Sequence, residues 1–68
     1  NEFICRINLD NFDYRKTTIE SLIHDALLLP ERVWVNYNAY KGCFEVDNYP
    51  YEANCNNGYL YIYKRELK

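Results

Sequence analysis

Three cysteines, Cys5, Cys43 and Cys55, and one histidine, His24, are the residues of this 68-residue chain best suited to nucleophilic or metal chemistry. A thiol attacks as its thiolate, which a neighbouring base or cation must favour. Cys5 and Cys55 fall on the apolar positions of alternating runs, where a cysteine acts as a small inert hydrophobe. Cys43 follows a glycine at the edge of a loop and is the one thiol placed to react. His24 belongs to the polar side of a helical pattern, remote from all three. The same residues make a zinc inventory, but zinc ligands come in closely spaced pairs, and here no two are closer than 12 residues. Ser21, His24 and Asp25 lie within one helical turn, which cannot aim a triad, so they read as a solvated helix face. Asp10-Asn11-Phe12-Asp13 lacks the glycine and closing glutamate of a calcium loop and reads as a turn before a helix. With only Gly42 and Gly58 there is no glycine-rich phosphate loop. A non-catalytic chain without metal or cofactor is expected.

The elements that must carry these residues centre on a hairpin. Asn57-Gly58 separates Tyr51–Asn56 from Tyr59–Lys64. A type I′ turn needs positive φ at both central residues, and Asn-Gly supplies them. The resulting register sets Leu60 opposite Cys55 and Ile62 opposite Ala53 on one face. Tyr59, Tyr61 and Tyr63 then oppose Asn56, Asn54 and Glu52 on the other. Residues 32–38 and 43–48 alternate as well. A four-residue loop, Ala39-Tyr40-Lys41-Gly42, pairs Tyr37 with Phe44, Val35 with Val46, Trp34 with Asp47 and Asn36 with Glu45.

Residues 2–9 form a further strand, with Phe3, Cys5, Ile7 and Leu9 on one face and Ile4, Arg6 and Asn8 on the other. It can pair with either edge of the four-strand meander. Thr17-Thr18-Ile19-Glu20 fits a capping box. Ile19, Leu22, Ile23, Ala26 and Leu27 recur at helical spacing, and Glu20, Ser21, His24 and Asp25 fill the opposite side. An earlier start, with Asp13 as cap and Tyr14 inside, fits too. Pro30 ends the helix at Leu29. Asn48-Tyr49-Pro50 is a tight connection, and residues 65–68 read as a frayed tail. The sum is β-α-β-β-β-β: a single two-layer α+β domain spanning 1–68, one helix on a mostly antiparallel sheet of about five strands.

A domain this small buries only about 60% of its unfolded surface. Eight tyrosines, three phenylalanines and one tryptophan help, because each aromatic buries roughly 150–250 Å². No apolar run approaches the ~20 residues of a membrane span, and Arg6 and Asp10 interrupt any leader-like stretch. An odd cysteine count without C-x-x-C suits free thiols in a reducing compartment. A cytoplasmic protein without a membrane partner is therefore expected. Nine asparagines and eight tyrosines match the AT-rich codon usage of phages and mobile elements.

One helix covers one face of a sheet. The other face is expected to carry Ile4, Arg6, Arg32, Trp34, Glu45, Asp47, Tyr59, Tyr61 and Tyr63. Trp, Tyr and Arg are the residues enriched at binding hot spots, although tyrosine also serves as ordinary sheet cover. The expected function is a small protein-binding module, an inhibitor or adaptor of phage type, whose partner-binding residues are Trp34, Tyr59, Tyr61, Tyr63, Arg6, Arg32, Glu45 and Asp47. Its partner would be a larger protein or a second copy, giving a homodimer. Single-stranded nucleic acid stacked on the same face is the alternative. The net charge of −2 and the acidic residues of that face disfavour it. Lys41-Gly42-Cys43-Phe44-Glu45-Val46 begins like the RNA-recognition signature but places Cys43 and Glu45 where outward aromatics belong.

Overall fold

The computed structural model describes residues 1–10 and 15–65. The order is β1 (Glu2–Asn8), α1 (Lys16–Leu27), β2 (Val35–Asn38), β3 (Cys43–Val46), β4 (Tyr51–Asn56) and β5 (Tyr59–Lys64). The strands form one antiparallel sheet, β1-β5-β4-β3-β2, with α1 packed on one face. This is the expected two-layer α+β arrangement, and it settles the first strand: β1 joins β5, not the β2 edge.

The β4–β5 hairpin has the expected register, Cys55 with Leu60 and Ala53 with Ile62. Asn57 and Gly58 both take positive φ, 53° and 80°, as a type I′ turn demands. The β2–β3 pairing also follows the expected register. Trp34 precedes β2, yet its carbonyl accepts the Asp47 N–H at 2.9 Å, so the ladder extends one pair beyond the strand. Asn38 Oδ1 accepts from the N–H groups of Tyr40 and Lys41 and closes the four-residue loop.

The core is Leu9, Ile19, Ile23, Val33, Val35, Val46, Ala53, Leu60 and Ile62. Ile62 on β5 is opposite small Ala53 on β4, and Ile19 and Ile23 join the same cluster from the helix.

Several expectations are corrected. A bulge between Phe3 and Cys5 inserts Ile4 as an extra residue. A bulge reverses the alternation on one side of itself. Cys5 and Ile7 therefore pack inward against the core, while Phe3 pairs with Tyr63 on the outer face and is 52% exposed. The capping box does not form: Arg15 is the N-cap and makes no side-chain cap bond. Glu20, expected in solvent, is only 6% exposed, and its Oε2 accepts the Val35 N–H at 2.9 Å. Ala26, expected on the apolar stripe, is exposed. The helix ends at Leu27, not Leu29, because Leu28 adopts a left-handed conformation that lets the Leu29 N–H reach the His24 carbonyl. Arg65, expected to fray, is anchored: its N–H donates to the Pro50 carbonyl at 2.7 Å and its Nη2 to the Tyr49 carbonyl at 3.0 Å. The alternative helix start at Asp13 and Tyr14, the end of the Asp10–Asp13 turn and residues 66–68 lie outside the described residues.

Candidate functional site

On the outer sheet face the eight expected residues fall into separate groups. At the β1–β5 end, Tyr59, Tyr61 and Tyr63 project from alternate positions of one strand. Tyr59 and Tyr61 ring centroids are 6.2 Å apart. Phe3 joins them through the bulge, 5.6 Å from Tyr63 and 6.5 Å from Tyr61. The Arg6 guanidinium lies 4.5 Å over the Tyr59 ring. This is a contiguous aromatic cluster of four rings and one cation. Alternation alone could not reveal Phe3 there, because nothing in residues 2–8 marks the bulge.

At the opposite end, Trp34 is 49% exposed, with the Arg32 guanidinium 4.0 Å above its ring. Each guanidinium–ring pair contributes about 0.5–1 kcal/mol at an exposed position. Trp34 lies beside β2 and the tyrosines on β5. Three inter-strand steps of about 4.8 Å set the two groups roughly 14 Å apart.

A charged centre fills the gap. Glu45 and Glu52 face each other directly across β3 and β4, an arrangement that is unfavourable for like charges. Lys41 Nζ bridges them, 3.6 Å from Glu45 Oε2 and 3.8 Å from Glu52 Oε2. Arg65 Nη1 adds a contact to Glu45 Oε2 at 3.4 Å, and Asn1 Nδ2 donates to Glu52 Oε1. Glu52 is 8% exposed. Asp47 accepts from Asn36 Nδ2 at 2.6 Å and sits nearer the Trp34 end. Lys41, Glu52 and Arg65 complete this centre, and the hairpin register placed only Glu52 near it; Lys41 and Arg65 reach it from loops.

Cys43 was expected at an accessible loop edge. It is 5% exposed, with Sγ 3.8 Å from Glu52 Oε2. Burial first, and then the charges of Glu52 and Glu45, raise its pKa above the ordinary thiol value, with Lys41 pulling the other way. Burial likewise raises Cys55. Neither thiol is tuned for attack. His24 Nδ1 lies 3.1 Å from Asp25 Oδ1 on the helix. Among the described residues no group of three or more His, Cys, Asp or Glu is placed to hold a metal ion, and no helix is long and apolar enough to cross a membrane.

No family model, curated protein or solved structure matches the chain.

Proposed function

We propose that the chain is a small non-catalytic protein-binding module, an inhibitor or adaptor of phage or mobile-element type, acting in the cytoplasm. It docks its open sheet face onto a larger protein. The observation that carries this reading is the pairing of two large half-exposed aromatics, Phe3 and Trp34, with the tyrosine row on the face away from α1. Such rings become anchors once a partner excludes water from them. Arg6, Arg32, Glu45 and Asp47 set register at the margins and centre.

Area favours a larger partner over a second copy. Five strands at about 4.8 Å spacing and six residues at about 3.3 Å give a flat face of roughly 480 Å². Two such faces would bury about 950 Å², below the ~1,200 Å² of a stable specific interface. A larger protein can also engage the rim.

Nucleic-acid stacking has less support. Arg6 and Arg32 already cover ring faces of Tyr59 and Trp34, and acidic residues occupy the centre.

The test is capture of a partner by the tagged chain, with and without nuclease, followed by affinity measurement on the purified pair. Trp34→Ala/Tyr61→Ala should weaken binding at least about 30-fold, the scale of losing a hot spot of ~2 kcal/mol, with the circular dichroism unchanged. Equal affinity for the folded double variant defeats the proposal. Nuclease-sensitive capture with a steep fall in salt establishes the stacking reading instead.

A further inference from the structure

A concave feature lies where Arg32 borders the helix layer. A cleft of about 420 Å³ opens between α1 and the segment leading into β2, lined by Thr17, Glu20, Ser21, His24, Arg32 and Val33. That volume is within the ~300–1,000 Å³ typical of small-ligand sites. Thr17, Ser21 and His24 stand at i, i+4 and i+7, one stripe of the helix surface. Glu20 lies beside them, held in place by the Val35 N–H. Arg32 also lines the cleft, with its guanidinium stacked on Trp34, and among the described residues it makes no ion pair.

The geometry points to a binding site for a small zwitterion with the backbone chemistry of a free α-amino acid. Arg32 supplies planar donors matched to a carboxylate. The Glu20 carboxylate has acceptor capacity beyond the single bond it gives Val35 and suits an ammonium group. The Thr17 and Ser21 hydroxyls and the His24 ring offer the remaining hydrogen bonds. A simple oxyanion would satisfy Arg32 but meet Glu20 in the same cleft. A simple amine would satisfy Glu20 but meet Arg32. A ligand bearing both charges is repelled by neither. Val33, buried at the base, provides apolar contact.

The test uses the isolated full chain and needs no protein partner. Amide correlation spectra are followed during titration with free amino acids having small, aromatic and charged side chains. Acetate and ethylammonium serve as single-charge controls at matched ionic strength. Saturable shifts confined to Thr17, Glu20, Ser21, His24, Arg32 and Val33 are expected with at least one amino acid. Both controls should bind about tenfold more weakly or worse. Arg32→Gln and Glu20→Gln should each weaken binding about tenfold or more; Glu20→Gln keeps an acceptor for the Val35 N–H, and an unchanged amide spectrum away from the cleft checks that the fold is retained. Acetate binding as tightly as the amino acids, with no effect of Glu20→Gln, overturns the zwitterion. Absence of saturable shifts with every amino acid overturns the site.

Discussion

Cys43 shows how far a residue's neighbours alter its chemistry. Its thiol borders a glycine in sequence but is enclosed by Glu52, Glu45 and Lys41 in the fold. The raised pKa means that the folded chain holds this proton more tightly than the unfolded chain. The associated stability is complete below the ordinary thiol pKa of about 8.5 and is lost as pH climbs through the raised folded value. Alkylation at mildly alkaline pH, mapped by mass spectrometry, should therefore modify Cys43 at least about tenfold more slowly in native protein than in urea-unfolded chain. Similar rates in both states would show a thiol that is open and ionised. Lys41 belongs to the same local balance, since it is the cation shared by two opposed carboxylates.

At the scale of elements, the most consequential side chain is Glu20. It joins α1 to the start of β2, giving the outermost strand's Val35 N–H an acceptor that no neighbouring strand supplies. Glu20→Ala leaves that donor buried without a partner, a loss of about 1–3 kcal/mol, whereas Glu20→Gln should cost less. Urea denaturation of the two variants checks the order, and equal midpoints would exclude this role for the hydrogen bond. The strands were largely legible beforehand because alternation and Asn57-Gly58 specify the same register. Glu20 was misplaced because periodicity puts it beside the apolar stripe without saying how wide a face the sheet will cover. The capping box was misleading for a related reason: a glutamate able to reach back to its own helix start can also reach a neighbouring strand.

The whole molecule rests on one thin core. Leu60 and Ile62 of the sheet and Ile19 and Ile23 of the helix are its fully buried large residues, joined in one cluster with Val33 and Val35. For 68 residues, a stability of roughly 0.05–0.15 kcal/mol per residue gives only about 3–10 kcal/mol. Leu60→Ala should remove about 2–5 kcal/mol, much of that total, and calorimetry or urea denaturation should show a markedly lower midpoint. A change below about 1 kcal/mol would mean that the sheet is held chiefly by something other than this core. With α1 occupying one layer, the opposite layer is left to Phe3 and the tyrosines, and the open sheet face follows from there being one helix among the described residues.

The number and order of the elements, the hairpin and β2–β3 registers, and the outward direction of Trp34, Tyr59, Tyr61 and Tyr63 were determined by the chain's local pattern. Each depends on turn chemistry and a two-residue period over a few neighbours. Tertiary structure alone decided that β1 pairs with β5, that Ile4 bulges and sends Phe3 outward, that Lys41 joins Glu45 and Glu52 beside Cys43 while Arg65 reaches Glu45, and that Glu20 and Arg32 line one cleft. These depend on segments far apart in sequence meeting in space. Such meetings are settled by packing and by the pairing of buried charge, neither of which has a period to read along a single chain.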